Sequence, residues 1–143
     1  MSPSKRLKPV QRVAKSREQT AARQLGRSKK SLHEEETKLT QLRQYHQEYL
    51  TRFEQAASKG ITAVHLQEYR TFIAKLDEAI KQQESVVSAS KQNHSVKKNT
   101  WRSKHTRTEA LSKVVDRYER AEKKEEERSE QKESDDRSQR RPD

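Results

Sequence analysis

Ser58-Lys59-Gly60-Ile61-Thr62 interrupts a seven-residue apolar repeat that governs the rest of the chain. Before the break, a positions fall on Leu25, Leu32, Leu39, His46 and Phe53. The d positions are Ser28, Glu35, Leu42, Tyr49 and Ala56, so seven of these ten residues are apolar. After it, a falls on Leu66, Ile73, Ile80 and Val87, and d on Tyr69, Leu76 and Gln83. A 3.5-residue spacing keeps one stripe facing one partner helix, which is the condition for a coiled coil. Gly60 suits the left-handed position beyond a helix end, with Ile61 as its apolar contact on the last turn. Thr62 suits the N-cap of a return helix. Short loops join antiparallel neighbours. The reading is an all-α chain: a long two-helix antiparallel coiled-coil hairpin turning at residues 58–62. The alternative is a helix pairing with another chain.

Composition agrees with a seam rather than a ball. Of 143 residues, 27% are hydrophobic and 38% charged, too little apolar area for a compact core to offset chain entropy. Pro3, Pro9 and Pro142 lie near the termini and leave the interior free to be helical. Cysteine is absent, so disulfide and thiolate chemistry are excluded. No apolar run is long enough for a transmembrane segment or a signal peptide, which leaves only peripheral membrane association.

The first helix is expected to start near Pro9, whose fixed φ suits an opening turn, and to run to about Ser58. In the return helix the seam weakens after Val87. Ser90, His94, Lys97, Trp101, Lys104 and Thr108 fill successive core positions before Leu111, Val115 and Tyr118 restore it and Glu122 and Glu125 end it. The domain reading is a hairpin over residues 1–128 and a disordered charged tail over 129–143. Aligning the arms about the turn pairs Phe53 with Leu66, Tyr49 with Tyr69, Leu42 with Leu76, Leu39 with Ile80 and Leu32 with Val87. Further out it pairs Leu25 with His94 and Glu18 with Trp101. The half near the turn is then a hydrophobic zipper, and the open half is loosely specified.

Charge is uneven. Met1–His33 carries ten Lys or Arg against Glu18 alone, and Lys91–Val115 carries seven against Glu109 alone. The hairpin sets these segments side by side as a basic open end. Such charge fits a solvated face, nucleic acid through counterion release, or an acidic protein or anionic membrane surface. Trp101 is the single aromatic in the basic run of the second arm, so there is no stacking platform for bases.

Nothing in the chain is arranged for catalysis. His33, His46, His65, His94 and His105 fall at no metal-ligand spacing, and there is no glycine-rich phosphate loop. No cofactor or metal is expected. Apolar residues outside the seam are more informative. Tyr45, Phe72 and Ala79 occupy g positions, where charge is usual. The g flanks of an antiparallel pair face each other, so Tyr45 and Phe72 are expected together beside Leu42, Tyr49 and Leu76. Exposed aromatics of this kind are favoured binding anchors; the plainer reading is that they broaden a thin core.

Leu39-x-x-Leu42-x-x-Tyr45-x-x-Glu48-Tyr49, Gly60-Ile61, and Tyr69-x-x-Phe72-Ile73-x-x-Leu76-x-x-Ala79-Ile80 resemble the flagellar type III export protein FliJ family. Ala21-Ala22-Arg23 with Leu25-Gly26, and Trp101-Arg102 with Lys104, extend the likeness over about Ala21 to Tyr118. The resemblance implies a hairpin similar to the central stalk of rotary ATPases. It also implies three partners: the flagellar export ATPase hexamer, the cytoplasmic domain of the export gate, and export chaperones for late substrates. The family's gate-contact face maps onto Leu42, Tyr45, Tyr49, Phe72, Leu76 and Ala79. Lys38 and Gln83 depart from the Gln and His of that pattern. The basic end that would face the ATPase ring comprises Lys15, Arg17, Arg23, Arg27, Lys97, Lys98, Arg102 and Lys104.

The function these readings predict is a non-enzymatic stalk, adaptor and chaperone escort of flagellar protein export. It would be cytoplasmic and peripheral at the inner membrane's cytoplasmic face through the export apparatus, with no nucleic acid bound. The alternatives are a basic coiled-coil nucleic-acid-binding protein, or the equivalent stalk of a virulence type III secretion system.

Overall fold

The computed structural model describes residues 1–140. Two long helices, α1 (Pro3–Lys59) and α2 (Ala63–Arg140), pack against each other as a hairpin. Gly60 takes the left-handed conformation at φ 87°, and its N–H reaches the Ala57 carbonyl at 3.3 Å. Thr62 caps α2: its Oγ1 accepts the His65 N–H at 3.2 Å and its carbonyl accepts that of Leu66 at 3.0 Å. Turn and cap lie where the sequence put them.

The start of α1 does not. Pro9 lies inside the helix, and Pro3 opens it. Ser2 supplies the cap, its Oγ accepting the Lys5 N–H at 3.4 Å and its carbonyl that of Arg6 at 3.1 Å. Pro3 loses nothing at a first helical position, and Pro9 removes one backbone bond that its neighbours outweigh. The expected disordered tail is also corrected, since residues 129–140 continue α2 and residues 141–143 lie outside the described residues. The stretch is rich in Glu, Lys, Arg and Gln, which are good helix formers. Side-chain pairs one turn apart support it, with Glu133 to Arg137 at 3.7 Å and Gln131 to Asp135 at 3.1 Å. Charge alone argued for disorder; propensity won.

The described residues fall into two compact units. The turn unit is Arg23–Asn99; the terminal unit joins Met1–Ala22 to the segment from Thr100 onward.

In the turn unit every a and d residue of both helices is buried or half-buried, with Leu39 and Leu76 at 8% exposure and Val87 at 6%. The two aromatic pairs differ from expectation by about one turn. Phe53 meets the edge of Tyr69, not Leu66, at 5.8 Å between centroids, and Tyr49 meets Phe72, not Tyr69, at 4.2 Å. The a residue Phe53 thus sits beside the d residue Tyr69, and the g residue Phe72 lies on the d residue Tyr49. The polar core positions match each other: Gln83 Nε2 donates to the Glu35 carboxylate at 2.6 Å and to its carbonyl at 3.0 Å. His46 meets Asp77 at 2.7 Å, and Arg43 meets Glu84 at 3.4 Å.

Gly26 lies exposed within α1, with nothing within 4 Å of the Cβ it lacks. Gly26→Ala should therefore stabilise the turn unit by about 0.5–1 kcal/mol by reducing the freedom of the unfolded chain. Thermal unfolding followed by circular dichroism should show a rise of a few degrees; a fall would mean the helix is not continuous there.

The terminal unit follows the same register with smaller and more polar residues. Ser4, Ala14, Ala21 and Val115 are 3–5% exposed, while Tyr118, expected in the seam, is 41% exposed. The sequence predicts loose specification here, yet the polar core positions are paired across the helices. Ser4 donates its Oγ–H to Glu122 at 2.6 Å and its N–H at 3.1 Å, and Gln11 meets Ser112 at 3.0 Å. Among the described residues, Glu122 is thus the last position of α2 paired with α1, and residues 123–140 are exposed on every side. Among the described residues no buried polar side-chain atom lacks a partner.

Candidate docking site

The six residues of the expected gate-contact face all lie in the turn unit, and the structure sorts them by depth. Leu76 belongs to the core, and Leu42, Tyr49 and Ala79 are half-buried. Tyr45 is 55% exposed and Phe72 40%, so these two rings present the face to solvent. The sequence set Tyr45 beside Phe72. The structure instead lays Phe72 on Tyr49 at an interplanar angle of 37°, with the Arg52 guanidinium 5.3 Å from the centre of the Tyr49 ring. One turn of register separates the two readings.

Two residues were missed. Val64 is 67% exposed and shares with Phe72 a shallow groove lined by Ala63, Gln67, Thr71 and Lys75. Val86 is 42% exposed and continues the seven-residue spacing of Phe72 and Ala79 along α2. The heptad count alone would have found Val86. Val64 lies on no stripe and has no such signal.

The basic residues are distributed between the units. Lys15, Arg17 and Arg102 are exposed and Lys104 half-buried in the terminal unit. Arg23, Arg27 and Lys98 are exposed and Lys97 half-buried in the turn unit.

The terminal unit also holds an arrangement the sequence did not indicate. His105 Nδ1 lies 2.5 Å from Glu18 of α1, its Nε2 lies 3.1 Å from Glu109, and its ring stacks on Trp101 at 5.0 Å and 13°. The hydrogen bond to Glu18 raises the His105 pKa above its usual value, with added help from Glu109, and the same bond lowers that of Glu18. The Ser4 hydroxyl and N–H likewise lower the Glu122 pKa.

The grooves are shallow, and no cluster of three or more His, Cys, Asp or Glu among the described residues is placed to hold a metal ion. No described helix is long and apolar enough to cross a membrane.

The family model described as "Flagellar FliJ protein" matches residues 3–142. The flagellar FliJ protein of Escherichia coli (strain K12) is 30% identical over 105 residues, which cover 73% of this chain and 71% of that protein. The family is generally non-catalytic and works with export-apparatus partners. With a two-helix hairpin and a family match across nearly its whole length, the chain belongs to the flagellar FliJ protein family and is a flagellar export protein.

Proposed function

We propose that this chain is a non-enzymatic stalk and adaptor of the flagellar export apparatus. The exposed Tyr45 and Phe72 rings dock on the cytoplasmic domain of the export gate. The basic residues of both helices face the export ATPase ring, whose lumen is acidic on this reading. Turnover in the ring is coupled to export by contact, and the same protein escorts chaperones of late substrates. The protein works in the cytoplasm, held at the inner membrane only through its partners.

The observation that carries this reading is a pair of exposed aromatics beside an apolar flank, in a chain that is otherwise charged. Isolated exposed apolar residues are ordinary, whereas a run at seven-residue spacing suits a partner surface. The charge on Lys98 and Arg102 supports the ring contact, since exposed charges steer association and are weakened by salt.

Co-purification of the ATPase and of the gate domain with this chain tests both contacts. Reversing Lys98 and Arg102 to Glu should cut ATPase stimulation several-fold and flatten its salt dependence, while gate capture is retained. Unchanged stimulation at low salt would rule out those residues.

A further inference from the structure

His105 is held by carboxylates at both ring nitrogens, one on each helix. A neutral imidazole has one N–H and one lone pair, so it can donate to only one of them; the imidazolium donates to both. From α1, Glu18 faces the ring and Lys15 stands near Glu18. From α2, Glu109, Lys113 and Asp116 line the same groove, with Thr108 and Ser112 as the uncharged members. Trp101 covers the ring face. An indole face favours a cation over a neutral ring.

We propose that His105 is a proton-operated latch between the two helices of the terminal unit. Protonated, it clasps Glu18 across the helix pair while Glu109 holds its other nitrogen and Trp101 its face. Loss of the proton to solvent leaves one ring nitrogen as a lone pair facing a carboxylate, and one of the two clasps must open. The seam around it is thin, with Ala14, Ala21 and Val115 as its buried apolar residues among polar pairs such as Gln11 with Ser112. Where the Glu18 clasp is the one to open, Glu18 keeps the Thr108 hydroxyl across the helix pair and has Lys15 nearby on its own helix.

The direction of the pH dependence follows. The His105 pKa is raised on folding, so its contribution is full below the usual histidine value of 6.5 and is lost as pH rises through the folded value. The Glu18 pKa is lowered, so its contribution is full above the usual 4.5 and is lost as pH falls through the folded value. The latch is closed between those limits.

Trp101 is the only tryptophan in the chain, so its emission reports on this site alone. A stacked imidazolium accepts an electron from the excited indole and quenches it. Titrating the full chain, wild-type emission should rise with pH at a midpoint above 6.5. His105→Gln should abolish the transition, and Glu18→Gln should move its midpoint downward. Thermal unfolding should show the wild type less stable at alkaline than at neutral pH, and the difference should vanish in His105→Gln. Reduced positive charge would by itself relieve self-repulsion in this basic chain, so a loss of stability is the informative sign. A midpoint at or below 6.5, or a transition that survives His105→Gln, overturns the latch. So does a pH dependence of unfolding that His105→Gln leaves unchanged.

Discussion

Leu76→Asp is expected to unfold the turn unit at a temperature well below that of the parent. Leu76 is 8% exposed, sits at a core d position, and lies next to Asp77, which pairs with His46. Truncating a buried leucine costs about 2–5 kcal/mol, and a single seam has no second layer to refill the space. The new carboxylate is not fully desolvated, because coiled-coil flanks admit water, which holds the total near 3–4 kcal/mol. For a unit of this size each kcal/mol lowers the midpoint by about 4–8 °C, so a fall beyond about 12 °C is expected. Lys75→Asp, on the exposed side one residue away, should change stability by no more than about 0.5 kcal/mol. Circular dichroism on both variants decides the matter, and equal midpoints would mean the a/d stripe does not carry the fold.

Tyr45→Ala and Phe72→Ala are expected to weaken binding to the export gate's cytoplasmic domain by tenfold or more each. Aromatic anchors at the centre of an interface commonly contribute 2 kcal/mol or more, which is about thirtyfold in affinity. The two variants differ in their side effects. Phe72 packs on Tyr49, and loss of that ring pair removes about 0.5–1.5 kcal/mol from folding. Tyr45 is 55% exposed, so its removal leaves the seam intact and is the cleaner probe. Agreement between the two separates a binding effect from a folding effect.

Much of the fold was legible in the residues. Gly60 and Thr62 announce a turn because few other residues fit a left-handed φ followed by a cap. Leu39, Leu76 and Val87 announce the seam by spacing alone. The error in pairing Tyr45 with Phe72 arose at the level of layers, where periodicity names the facing stripes but leaves open which turn meets which. Aromatic packing of Tyr49 on Phe72 and Phe53 on Tyr69 settles that choice, and packing is not written in a heptad.

The terminal unit was read least well, for a related reason. Ser4, Gln11, Glu18 and Glu122 look like failed core positions until their cross-helix partners are known. Polar specification depends on two residues far apart in sequence, and hydrophobic counting registers neither. The helix over residues 129–140 was missed for the opposite reason. Its local propensity suffices without any apolar stripe, whereas its charge alone pointed to disorder.

Gate docking depends on two rings exposed beside the seam of the turn unit, Tyr45 and Phe72. Isothermal titration of the gate's cytoplasmic domain with the full chain and with a Tyr45→Ala/Phe72→Ala double variant tests it most directly. The parent should bind measurably, and the double variant at least a hundredfold more weakly with its helicity retained. Equal affinities for the two proteins would contradict it.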